Sequence, residues 1–120
     1  MVQALTKIIT KWVDICLVSE IAPNTGVCAL IEAQQVAIFR VGSGADVFAI
    51  SNYDPFSKAC VLARGIVGDR NGIPKVASPI YKQNFNLATG QCLDDETVSV
   101  PTFEVRVVED RVQLAVEQLG

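Results

Sequence analysis

VFAISNYDPFSKACVLARG (residues 47–65) and VASPIYKQNFNLATG (residues 76–90) are the stretches on which the reading of this chain turns. Each opens on a short apolar run, Val47–Ile50 or Val76–Ala77, of the kind that fits a half-buried pleated strand. Each then breaks, at Asn52 and Asp54-Pro55 in the first and at Ser78-Pro79 in the second. Between them Gly65, Gly68, Asp69, Asn71-Gly72 and Pro74 interrupt the pattern while Val61-Leu62 and Ile66-Val67 stay apolar. Residues 52–75 therefore read as a long structured excursion, the kind of segment where a binding or docking surface sits.

Outward from that centre the chain is a series of short strands. VDICLV, VCALI, VAIFR and VFAIS are separated by Pro23-Asn24-Thr25-Gly26 and Gly42-Ser43-Gly44-Ala45-Asp46. Turn signals about every ten residues point to an antiparallel all-β sandwich or barrel. Phe85-Asn86-Leu87 continues the series. FEVRVV and VQLAV around Glu109-Asp110-Arg111 predict a closing hairpin, with Phe103, Val105 and Val107 on one face and Glu104 and Arg106 on the other. Residues 1–10 carry no strong signal and are set aside as an N-terminal extension, disordered in expectation. Residues 11–120 form one domain, as 120 residues allow.

Half of the residues are hydrophobic and 19% charged, enough apolar surface to build a core. A net charge of −3 without any Lys or Arg run argues against a nucleic-acid partner. The longest apolar stretch, Val27–Ile31, is far short of the roughly 20 residues that span a bilayer, so no membrane association is expected. There is no histidine. That removes Ser-His-Asp and Cys-His catalysis, most zinc and copper sites, and an imidazole base near neutral pH.

Cys16, Cys28, Cys60 and Cys92 include no CxxC pair and are expected to be free thiols. Cys16 and Cys28 read as small core residues, and Cys60 has Lys58 and Arg64 near in sequence. Gly42-Ser43-Gly44 lacks the rest of a phosphate-binding motif and reads as a turn. Asp94-Asp95-Glu96 lacks the alternate spacing of a calcium loop and reads as solvated.

The two stretches together resemble the Rieske-type domain. In that family a strand leads into C-x-H on one loop and C-P-x-H-x-x-x-F-x-L-x-x-G on a second, and two Cys and two His hold a [2Fe–2S] cluster. Here Pro79, Phe85, Leu87 and Gly90 keep the second spacing, but Asn52 and Asp54 stand at the first pair of ligand positions and Ser78 and Tyr81 at the second. Oxygen and amide donors do not replace thiolate and imidazole at such iron.

S-N-x-D-P-F, V-L-x-R-G, V-A-S-P-x-x-K-Q-x-F and G-x-C, with W-x-D-I-C, T-G-V-C-A-L and Q-V-A-I-F, narrow the resemblance. The chain is similar over residues 11–116 to the small subunits of bacterial NAD(P)H-dependent assimilatory nitrite reductases. The resemblance implies a cytoplasmic accessory subunit of an enzyme that reduces nitrite to ammonium, with no catalytic site, metal or cofactor of its own. FAD, an iron–sulfur cluster and sirohaem would belong to the large subunit, its partner. With no strongly apolar exposed helix or heptad in the sequence, the isolated chain is expected to be a monomer. The degenerate loops would then form a docking tip exposing Asp54, Phe56, Arg64, Tyr81 and Lys82 around Pro55 and Pro79; alternatively, Phe56 and Tyr81 fill the space a cluster would occupy. Two other readings stand beside this one. The first is an electron carrier with an unconventional metal site such as Cys60, Cys92 and Asp54. The second is a cluster-less binding module for a different reductase.

Overall fold

The computed structural model describes residues 8–119, an all-β chain in which every strand pairing is antiparallel. Strand β1 (Ile8–Leu17) leads through a 3-10 turn (Val18–Glu20) into β2 (Thr25–Ile31), β3 (Gln34–Val41) and β4 (Asp46–Ser51). The expected excursion is largely made of short elements: β5 (Tyr53–Asp54), β6 (Ala59–Cys60), a second 3-10 turn (Leu62–Arg64), β7 (Ile66–Arg70) and β8 (Ile73–Ala77). β9 (Asn84–Asn86), β10 (Thr102–Phe103), β11 (Val105–Val108) and β12 (Arg111–Leu119) complete the chain. β1 starts at Ile8, so residues 8–10, read above as part of an extension, belong to the strand and pair with 117–119. Residues 1–7 lie outside the described residues.

The strands form a central sheet in the order β10-β4-β3-β2, a sheet β1-β12-β11 on one side of it, and a sheet β7-β8-β9 with the β5-β6 ribbon on the other. The sequence of β3 explains this layering. Val36, Ala37, Ile38 and Phe39 are consecutive, and none is more than 1% exposed. A continuous apolar run marks a strand covered on both faces, whereas a strand with one wet face alternates. The period of two sorts the residues accordingly. Val36, Ile38 and Ala49 pack with Val112, Leu114, Val18 and Ile21, while Ala37, Phe39 and Ile50 pack with Leu62, Val76, Phe85 and Leu87. Burying a side chain the size of Ile or Phe contributes about 1.5–3 kcal/mol.

Turn chemistry sets the registers. Glu32-Ala33, Asn71-Gly72 and Glu109-Asp110 all have positive φ at both positions, and each joins its strands through a two-residue loop. This is the turn whose twist matches the twist of the strands it connects. The Gly42–Ala45 turn is pinned by Arg40, whose guanidinium donates to the carbonyls of Ile21, Ser43 and Gly44. Gly26 answers to packing. A Cβ there would lie 2.7 Å from the Phe39 ring and 2.9 Å from the Ala63 carbonyl, so its absence lets the second 3-10 turn rest on β2.

Candidate functional site

The sheet β7-β8-β9, the β5-β6 ribbon and the loop after β8 make up one end of the molecule, and there the four positions singled out in the sequence can be placed. Asn52 immediately precedes β5 and is 3% exposed. Its backbone N–H donates to the Gln35 carbonyl and its own carbonyl accepts from Leu62 N–H. Its side-chain oxygen accepts Ala63 N–H at 2.7 Å, and its Nδ2 donates to Gln35 Oε1 at 3.0 Å and to Cys28 Sγ at 3.5 Å. One amide thus ties the central sheet to the second 3-10 turn.

Asp54 has no exposed surface at all. Its Oδ1 accepts Phe56 N–H at 2.9 Å, and its Oδ2 accepts the hydroxyls of Ser57 at 2.8 Å and Ser78 at 2.5 Å. Burial alone would raise the pKa of this carboxyl. The hydrogen bonds from Ser78, Phe56 and Ser57 outweigh burial and hold it below the ordinary carboxylate value. Ser78, 1% exposed, follows β8 on the second loop, with its own N–H bonded to the Gln83 carbonyl. The Asp54–Ser78 bond therefore joins the two loops directly, between two of the positions that the Rieske resemblance assigns to cluster ligands.

Tyr81 is elsewhere: 62% exposed, it projects from the same loop beside Ile80 and Lys82. The structure thus brings Asp54 and Ser78 together, holds Asn52 nearby in the same end, and leaves Tyr81 on the surface. These residues do not fit a [2Fe–2S] cluster. Three of the four side chains are hard oxygen or amide donors already engaged in hydrogen bonds, and a cluster needs thiolate or imidazole. Cys60, Cys92 and Asp54 do not assemble either. Among the described residues no three Cys, Asp or Glu side chains are grouped to hold a metal.

The expected tip is corrected in part. Arg64, Tyr81 and Lys82 are exposed, with Tyr53 and Ile80 adding apolar surface. Asp54 is buried and Phe56 is only partly exposed. The carboxylate is drawn inward by three donors. The Phe56 ring packs against the core, 6.1 Å from Phe85 and tilted 52° to it. Of the two rings read as filling the interior, Tyr81 lies on the surface instead, while Phe56 is partly buried against the margin of the core. Sequence reasoning missed Ser57, Gln35 and Tyr53. The pattern Asp54-Pro55-Phe56-Ser57 is a side-chain-capped turn and was the available signal for Ser57; Gln35 lies on a distant strand and left none.

The other acidic cluster is structural. Asp94 accepts from the backbone and side chain of Asn84 and pairs with Arg70 at 3.1 Å. A cleft of about 350 Å³ lies on the opposite side of the central sheet, between the β2-β3 turn, β10 and β12, and includes none of these residues.

Residues 11–115 match the family model for the Rieske-like [2Fe-2S] domain, and the chain belongs to that family. At 19% identity, the ferredoxin of carbazole 1,9a-dioxygenase from Nocardioides aromaticivorans shares the fold, with a TM-score of 0.74 over 86% of this chain and 95% of that one. Within the family the chain is a nitrite reductase small subunit by descent. It is 50% identical over 105 residues to the nitrite reductase (NADH) small subunit of Escherichia coli K12, covering 88% of this chain and 97% of that one. The NMR structure of the E. coli protein NirD superposes with a TM-score of 0.84 at 48% identity, covering 90% of this chain and 98% of the other. The chain is also 37% identical over 108 residues to a nitrite reductase [NAD(P)H] large subunit of Klebsiella oxytoca, where the match takes up 90% of this chain and 11% of that one.

Proposed function

We propose that this chain is the accessory small subunit of a cytoplasmic NAD(P)H-dependent nitrite reductase that forms ammonium in nitrogen assimilation. It docks on a large subunit that carries the flavin, iron–sulfur and sirohaem chemistry, and it holds no cluster itself. The observation that carries the reading is the Klebsiella large subunit, a much longer chain that contains a segment homologous to almost all of this one. Joining two modules in one polypeptide replaces association by a high effective concentration. A separate chain must supply the same contact through its surface.

The exposed set Arg64, Tyr81 and Lys82, with Tyr53 and Ile80 beside it, is the surface we assign to that contact. Arg and Tyr anchor interfaces because they bury large, rigid or multiply bonding groups at little entropic cost. Asp54 and Ser78 act as positioning residues: their bond sets the spacing of the two loops that carry Tyr53 and Tyr81.

Co-purification of the tagged chain with its large subunit tests this reading. Replacing Arg64, Tyr81 and Lys82 together by Ala should abolish recovery of the large subunit while leaving the isolated chain folded. Undiminished recovery would refute the docking surface. Iron analysis of anaerobically purified wild-type chain should give no iron and no visible charge-transfer bands. About two irons per chain would make it an electron carrier after all.

A further inference from the structure

All four cysteines of this chain are free thiols. Two of them converge. Along β2 the side chains of Val27, Ala29 and Ile31 face the β1-β12-β11 sheet, so alternation sends Cys28 to the other side, toward the second 3-10 turn and Asn52. Cys28 Sγ lies 3.5 Å from Asn52 Nδ2 and 3.6 Å from Gln35 Oε1. Cys60 approaches the same place from the β5-β6 ribbon. It pairs with Tyr53, the residue next to Asn52, and it lines a small cleft together with Gln35, Ser51 and Tyr53. The Cys28 thiol thus lies against the side chains of Gln35 and Asn52, Cys60 lines a cleft that Gln35 also lines, and both cysteines are exposed. The Cys28 thiol is raised above its ordinary pKa, first by burial and second by the charge of Cys60, which puts the two sulfurs within electrostatic reach of each other.

We infer that Cys28 and Cys60 are a redox-responsive dithiol that closes to an intramolecular disulfide bridging β2 and the β5-β6 ribbon. The bond calls for Cα atoms about 4.4–6.8 Å apart. The ribbon is the element that adjusts, since β6 is two residues long and is entered through Lys58 at positive φ. The oxidant is a small-molecule disulfide. The Cys60 thiolate attacks it, forming a mixed disulfide and releasing one thiolate. The Cys28 thiolate then displaces the second thiolate and forms the Cys28–Cys60 bond. Two electrons leave the protein, the oxidant becomes two thiols, and the protons lost by the cysteines balance those the leaving thiolates take up. The crosslink would fasten a strand edge of the central sheet to the first degenerate loop, next to the Asn52 amide that already spans them.

The test uses the full chain treated with oxidised glutathione, followed by alkylation of the remaining thiols and peptide mapping. Alkylatable cysteines should fall from four to two, the peptides bearing Cys28 and Cys60 should be joined, and dithiothreitol should restore all four. C60S should leave Cys28 alkylatable, and C28S should leave Cys60 carrying only a glutathione adduct. If C28S does not fold, C60S and the wild-type map decide. Full alkylation of Cys28 and Cys60, glutathione on Cys60 without the joined peptide, or a disulfide between two chains would each overturn the inference.

Discussion

The two faces of the central sheet are stabilised by different physics. On the side of β1-β12-β11, Val36, Ile38 and Ala49 meet Val18, Ile21, Val112 and Leu114, a contact with no buried polar residue in it. On the other side the apolar contact of Phe39, Leu62 and Phe85 continues into Asn52, Asp54 and Ser78, the three buried polar residues among the described ones. Apolar burial is proportional to area and tolerant of small shifts, whereas a hydrogen-bonded network specifies atom positions and penalises any missing member. The difference shows how hydrogen bonds at one buried carboxylate can tie two separate loops together. Asp54 takes donors from Phe56 and Ser57 on the first loop and from Ser78 on the second.

The sharpest way to break the comparison is through its apolar half. Ile38→Ala should lower the unfolding free energy by about 2–5 kcal/mol, because it removes a fully buried side chain and leaves a cavity. Urea denaturation reads it as a lower midpoint with little change in slope. A loss under about 1 kcal/mol would mean that this side of the sheet repacks freely.

The polar half responds through coupling. Asp54→Ala leaves the Ser57 and Ser78 hydroxyls and the Phe56 N–H without their acceptor and should cost about 2–4 kcal/mol, while Ser78→Ala should cost about 1–2 kcal/mol. The double variant should be more stable than the sum of the single losses predicts, since the same bond is removed twice. Strict additivity would show that the inter-loop bond contributes nothing to stability.

The smallest effect separates charge from shape. The folded Asp54 carboxyl is held below its unfolded value of about 3.9, so its ionised form stabilises the fold above that pH. That contribution fades as the pH drops through the lower folded value. Asp54→Asn should therefore flatten the loss of stability measured between about pH 5 and pH 2, while lowering stability modestly at pH 7. An unchanged acid profile would place the acid sensitivity on other carboxyls.

Much of this was legible in the chain itself. The run Val36–Phe39 and the Asn71-Gly72 and Glu109-Asp110 turns carry their structure in composition and period, and the kept spacing of Pro79, Phe85, Leu87 and Gly90 located the second loop. The short strands β5 to β7 and the start of β8 were hidden, because Pro74, Gly68 and Asp69 read as breakers even though β8 pairs on both sides. The inward turn of Asp54 was hidden for a different reason. Local sequence makes a carboxylate look exposed, and only Ser78, 24 positions away, together with Phe56 and Ser57, makes its burial affordable. Phe56 and Tyr81 were equal candidates for the interior until Phe85 took one of them as its neighbour.

The pairing of β1 with β12 has a consequence for synthesis. Asp14 bonds to Gln113, 99 positions on, and among the described residues β1 has no neighbour in its sheet but β12. β1 must therefore wait, during synthesis, for a partner 99 positions further along the chain. At about 5–20 residues per second the delay is on the order of 5–20 seconds, during which Trp12 and Val13 sit on an unpaired edge. Contacts this distant make folding slow, and an edge left open meanwhile invites pairing with another nascent chain. Demand for chaperones should accordingly be concentrated before β12 emerges.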